Sequence, residues 1–210
     1  MGVYSLFQKG GPIMWPLLVA SVVSLTVVVE RLFFVVNEMR KRDSESVEKI
    51  LSQVKAGEIK QALETAKNSK DGIAKVLGYG LSHDEDTLSD ALAHAANEEL
   101  NRYERGLPIL DTIITLAPLL GLLGTVTGMI HAFGLLGNQE LSFPIAITGG
   151  IAEALIATAF GLSIAILSLI PFNWLNAHSE RAKRWIEHEA TQLELSVRKA
   201  KVYEAPARLR

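Results

Sequence analysis

The chain has 210 residues, of which 49% are hydrophobic and 21% charged, with a formal net charge of −2 and no cysteine. So large an apolar share, gathered into long runs, excludes an ordinary soluble domain, and the missing thiols exclude disulfides, thiol nucleophiles and thiolate metal sites. The net charge argues nothing by itself, and no nucleic-acid partner is expected.

No Asp, Glu, Lys or Arg occurs from Gly10 to Val29, from Thr112 to Gln139 or from Ala154 to Ala177. Each run approaches or exceeds the ~20 residues that cross a hydrocarbon core. The expected fold is therefore an all-α membrane protein with three transmembrane helices, the second and third extended into the cytoplasm. In chain order the sequence reads as an outer N-terminal segment (1–12), transmembrane helix one (13–36) and a cytoplasmic helical region (37–106). Helix two (107–136), an outer loop (137–143), helix three (144–175) and a cytoplasmic C-terminal helix and tail (176–210) follow. Eleven of the Lys and Arg residues lie between Arg40 and Arg105 and eight between Arg181 and Arg210, whereas 137–143 has none. The positive-inside rule then puts the N-terminus and the short connection outside, and the long loop and the C-terminus in the cytoplasm.

Helix one carries Pro12 and Pro16 near its outer end, where missing backbone donors cost least, and Glu30 and Arg31 near its inner end. Arg31 is expected to snorkel to the headgroups while Glu30 pairs with a basic group. Residues 40–106 show charges at helical spacing and should form several helices, divided near Gly57, at Asn68–Gly72 and around Ser82–Asp86. An amphipathic helix from about Thr87 is expected to run directly into helix two.

Helix two reads APLLGLLGTVTGMIHAF over 117–133. Gly121, Thr125, Gly128 and Ala132 recur at steps of four, three and four, and Gly124 with Gly128 forms a small-x-x-x-small contact. Helix three has its own small face of Gly150, Ala154, Thr158, Gly161 and Ala165. Two such faces can pack backbone to backbone. A mid-helix threonine can instead bond to its own backbone, the expected role of Thr127, whereas Thr125 and Thr158 sit within the small-residue seams.

Glu153 is the only formally charged side chain between Glu140 and His178. At mid-membrane a carboxylate costs roughly 2.5–3.5 kcal/mol on insertion scales, so an acid kept there marks a functional site. Glu153 stands about 140° around the helix from Thr158, and both could meet one partner only across a broad cavity such as a pore. A single copy is expected to leave Gly121, Thr125, Gly128, Glu153 and Thr158 facing lipid, which argues for a closed homo-oligomer. His131, near the outer end of helix two, is a possible pore-mouth group. No metal-spaced cluster, phosphate-binding loop or cofactor motif appears, and an enzyme is not expected.

The segments GGPIMWPLL (10–18), VVVERL (27–32), APLLGLLGTVTGMIHAF (117–133) and GGIAEALIATAFGL (149–162) together resemble the MotA/TolQ/ExbB proton channel family along nearly the whole chain. The wording is most similar to ExbB-type biopolymer transport proteins, while Met129 to Phe133 is also similar to TolQ. The resemblance implies a homo-oligomer, usually a pentamer, whose second and third helices line a pore in a bacterial inner membrane, with the N-terminus periplasmic. That pore holds an ExbD-like single-helix partner bearing an intramembrane Asp. It implies Glu153, Thr125 and Thr158 as the polar wall of the proton pathway, membrane lipids as surroundings, and a TonB-like protein as recipient of the work. A TolQ-like role in envelope integrity and a non-conducting scaffold are the alternatives. A secondary transporter is disfavoured by the lack of a repeat or broken half-helices. One departure stands out: family members carry Ile-Pro soon after the Gly-Leu of helix three, whereas this chain has Ile166-Leu167 and its next proline at Pro171.

Overall fold

The structure, a computed structural model, describes residues 3–134 and 143–204, with no side-chain description at 3, 4, 85, 86, 143–147 and 200–204. The outer loop read at 137–143 therefore falls almost wholly outside the described residues, as does the tail beyond 204. Every described element is a helix. These are α1 (Val3–Lys9), α2 (Met14–Lys41), α3 (Ser44–Lys55), α4 (Ile59–Asn68), α5 (Gly72–Leu81), α6 (Glu85–Glu104), α7 (Leu107–Gly134) and α8 (Phe143–Glu204). Three stretches, Met14–Lys41, Thr87–Gly134 and Thr148–Lys199, are long and apolar enough to cross a membrane. The chain divides into two compact units, Met1–Arg31 with Gly106–Leu175, and Leu32–Arg105 with Asn176–Arg210.

The breaks near Gly57, at Asn68–Gly72 and around Ser82–Asp86 fall where α3, α4, α5 and α6 meet. Two features differ from the sequence reading. The N-terminal segment contains a helix of its own, α1, pinned by an edge-to-face contact of Phe7 and Trp15 with ring centroids 5.3 Å apart. The extension of helix two is present as α6, but it is separated from α7 at Arg105–Gly106. Gly106 adopts φ +83°, a left-handed conformation that ends a helix and that a side chain resists. Pro108, which has no backbone N–H, suits the first turn of the helix that restarts there.

In the first unit α2, α7 and α8 pack as a bundle around Met14, Leu17, Ala20, Ile113 and Ala117, with Ile156, Phe160 and Ile164 against them. The outward faces stay apolar: Leu25, Ile130, Leu155 and Leu167 are all exposed. An apolar coat around a small-residue interior suits a lipid solvent, where apolar burial between helices contributes little and close packing contributes most. A buried pair of hydroxyls joins α2 to α8. Ser24 Oγ lies 2.6 Å from Ser168 Oγ, and Ser168 donates to the Ile164 carbonyl at 2.8 Å. Because Ser168 uses its one proton on that carbonyl, Ser24 is the donor between the two.

Arg31 corrects another expectation. It is buried at 3% exposure and forms a two-pronged contact with Glu30 rather than snorkelling outward. The reason is local: Gly106 lacks the side chain that would fill this space, and a Cβ there would lie 3.6 Å from Arg31 Cδ and 3.0 Å from Val27.

The second unit is built by helices that each bury one stripe. Val47, Ile50, Leu51 and Val54 of α3 pack with Ala62, Ala66, Leu77, Leu88 and Leu92, and α8 contributes Ile186 and Leu193 at helical spacing. Helix starts are fixed by two aspartates. Asp43 accepts from the Ser46 amide at 3.1 Å, and the Ser46 hydroxyl and amide hold its carboxyl below the usual carboxylate range. Asp71, buried at 4% exposure, caps α5 through Ile73 N at 2.7 Å and with its other oxygen accepts from Asp43 N at 2.7 Å.

One carboxylate thus holds the starts of α3 and α5 together. Asp71→Ala is expected to destabilise the protein by about 3 kcal/mol, since two amides lose a buried, charged acceptor. Asp71→Asn, which keeps one acceptor oxygen, should recover part of the loss. Denaturant unfolding of the purified protein in mild detergent measures both; wild-type stability in Asp71→Ala would refute the double cap.

Candidate functional site

The candidate site begins with the contact between α7 and α8. On α7 the residues Ala117, Gly121, Gly124, Gly128 and Ala132 are buried. A Cβ added at Gly121 would lie 3.1 Å from both the Ala157 carbonyl oxygen and Thr158 Cα, and one at Gly128 would lie 2.9 Å from the Gly150 carbonyl oxygen. From the other side, a Cβ at Gly161 would lie 2.5 Å from the Ala117 carbonyl oxygen and 3.1 Å from Gly121 Cα. One at Gly150 would lie 2.7 Å from the Gly128 carbonyl oxygen. Ala154 and Ala157 meet Gly128 and Gly124 in the same way. The two helices run antiparallel with their backbones in contact, a separation only glycine and alanine permit.

This seam closes within one chain. The expectation that a single copy leaves Gly121, Gly128 and Thr158 facing lipid is therefore corrected, because α7 and α8 serve as each other's small-residue surface. Thr158 donates to the Gly121 carbonyl across the seam at 3.1 Å, sharing its proton with Ala154 O at 3.2 Å. Thr125, in contrast, bonds back to Leu122 O at 2.6 Å, just as Thr127 bonds to Gly124 O at 3.2 Å. Thr125 also lines an open groove on α7 with Val126, Met129, Ile130 and Phe133. His131 is exposed in the last turn of α7.

Glu153 is half-buried, and its carboxyl group packs on Gly11, in the turn that links α1 to α2. Since α8 passes Gly11 at Glu153 and Ser24 at Ser168, the acid stands level with the start of α2 and not with its middle. The three polar residues singled out from the sequence thus have three different neighbours: α7 for Thr158, its own helix for Thr125, and the N-terminal turn for Glu153. Gly11 and the Ser24–Ser168 pair escaped the sequence reading. Hydroxyls inside charge-free runs were the only signal for the pair, and Ser21, Thr26, Thr158 and Ser163 share those runs; nothing local marks Gly11 as a neighbour of residue 153. Among the described residues no group of three or more His, Asp or Glu side chains could hold a metal ion.

A family model described as the MotA/TolQ/ExbB proton channel family matches residues 60–188. A Synechocystis protein named as biopolymer transport protein ExbB-like 1 is 36% identical over 201 residues, covering 91% of this chain and 78% of its own length. The biopolymer transport protein exbB1 of Vibrio cholerae is 27% identical over 196 residues, covering 90% of this chain and 85% of its own. The Tol-Pal system protein TolQ of Haemophilus influenzae is 41% identical over 86 residues, 41% of this chain and 38% of its own. A family match over most of α4 to α8 and an ExbB-like relative similar along 91% of the chain agree with the three apolar helices, and the chain belongs to the MotA/TolQ/ExbB proton channel family.

Proposed function

We propose that the chain is an ExbB-like subunit of an inner-membrane proton-driven motor. It works with an ExbD-like single-helix partner carrying an intramembrane Asp and passes work to a TonB-like protein that energises outer-membrane transport. The observation that carries this reading is Glu153, the one formally charged side chain between Glu140 and His178, whose carboxyl group rests on a second segment of the chain. In this reading it exchanges protons with the partner's aspartate, Thr125 and Thr158 complete the polar wall, and the N-terminus faces the periplasm. The driving force is the proton-motive force, ~2.3 kcal/mol per charge for each 100 mV. The chain is a channel subunit and not an enzyme, and it acts as a closed homo-oligomer, most simply a pentamer, whose exposed apolar faces meet lipid and neighbouring copies. The similarity to TolQ over 86 residues favours, as second reading, the same machinery serving envelope integrity.

The test is reconstitution. The chain should co-purify as a ring with a single-helix protein bearing one intramembrane Asp, visible by native mass spectrometry, and vesicles containing both should pass protons down an imposed pH gradient. Vesicles with the chain alone should stay tight. A monomer in several detergents, together with no flux in the presence of the partner, would overturn the reading.

A further inference from the structure

The turn between α1 and α2 meets α8 at one place, and the contact is specific in its atoms. Gly11 has φ +72°, a left-handed conformation that glycine adopts freely and alanine does not. A Cβ built on it would overlap Glu153 Oε1 and lie 2.6 Å from Cδ and 3.0 Å from Cγ. The end of the Glu153 side chain therefore rests on the Gly11 backbone, in space that any other residue would fill. The flanking residue repeats the pattern one step along: a Cβ at Gly10 would lie 3.0 Å from Ile156 Cγ2 and 2.6 Å from the Met14 sulfur. The turn itself is held from both sides. Gly10 N donates to Leu6 O at 3.0 Å, Met14 N donates to Gly11 O at 3.2 Å, and Phe7 stacks edge-on against Trp15.

We infer that Gly11 is the positioning residue for Glu153: it is the floor that fixes the carboxyl group in one place and couples it to the N-terminal segment. The inference rests on the reading of Glu153 as a proton-exchanging group. A long, flexible acid exchanges protons efficiently only when its carboxyl stays within reach of one partner, and a displacement of about 1 Å can cost on the order of a hundredfold in rate. A backbone floor supplies that constraint without adding an ionisable side chain that would compete for the proton. It also means that movement of the α1–α2 turn moves the floor on which the acid rests.

A double-mutant cycle in the full chain, with its single-helix partner in the membrane, tests this. Gly11→Ala should lower proton flux by about tenfold or more when residue 153 is Glu. In a Glu153→Asp background, whose carboxyl is one methylene shorter, the same change should cost less than about twofold, because the Cβ then has room. Backbone strain at residue 11 is common to both arms and cancels. Gly57→Ala is the strain control, since Gly57 has φ +81° but nothing within 4 Å of a Cβ; it should leave flux unchanged. The unfolding midpoint in detergent gives a second readout that does not depend on what Glu153 does: Gly11→Ala should lower it more with Glu153 than with Glu153→Asp. Equal losses in both backgrounds, in flux and midpoint alike, would overturn the role of Gly11. Coupling in the midpoint with flux untouched in every variant would instead keep the contact and overturn the proton role of Glu153.

Discussion

Glu153→Ala is expected to abolish proton-driven work while leaving the chain folded and at wild-type level in the membrane. The expectation follows from the surroundings of the side chain. Its helix face is already lined by glycine and alanine, so truncation removes a carboxyl group resting on Gly11 but no part of the α7–α8 seam. Glu153→Gln is the discriminating change, because it keeps shape and hydrogen bonding but cannot ionise. Loss of flux in Gln equal to that in Ala, by about a hundredfold or more, implicates the titration of residue 153 itself. Retained flux in Gln would make the residue a polar strut and leave the proton to the partner's aspartate. Thr158→Val and Thr125→Val should impair flux more mildly, and Thr158→Val should also cost about 1 kcal/mol of stability as the bond to Gly121 O is lost. Full activity in Ala, Gln and both valine variants would remove the proton pathway from this chain and leave a structural scaffold.

A large effect on stability is expected of Gly161→Ala. Its new Cβ would stand 2.5 Å from the Ala117 carbonyl oxygen and 3.1 Å from Gly121 Cα, both backbone atoms that cannot swing aside. The helices must separate, and the separation spreads to the contacts at Gly121, Gly124 and Gly128; a loss of about 3 kcal/mol is expected. Gly161→Leu should prevent the hairpin of α7 and α8 from closing, and little protein should reach the membrane. Gly149→Ala is the contrast, since nothing lies within 4 Å of a Cβ there and alanine favours helix by up to ~1 kcal/mol. Detergent unfolding curves of the three variants decide the matter. Wild-type stability in Gly161→Ala would mean that the backbones do not touch.

Much of the fold is legible because its signals are local. Charge-free runs of helix length mark the spans, and Gly57, Asn68 and the polar run Ser82–Asp86 mark the ends of α3, α4 and α5. Small residues at steps of three and four along α7 and α8 name the surface where two backbones can close. What spacing does not carry is the rotation and vertical register of one helix against another. The 140° between Thr158 and Glu153 says that they diverge, yet only the packed bundle shows one turned to α7 and the other to Gly11. Thr125 and Thr127 look different by their neighbours in sequence and bond alike in the structure. Arg31 reads as an interfacial cation because nothing in its own helix announces the space left by Gly106, more than seventy positions away.

The buried hydroxyl pair between α2 and α8 has a mechanical consequence. Sliding either helix by one turn, about 5.4 Å, would part Ser24 from Ser168 and strand two polar groups in an apolar interior. Elsewhere along α8, the glycine contacts with α7 forbid any shift that brings a larger side chain under Gly121 or Gly161. Within the first unit the three helices therefore hold one register, and in the proposed motor the stroke takes place where they meet another chain. A cross-link formed by Ser24→Cys and Ser168→Cys, in a chain with no cysteine of its own, should leave that stroke running.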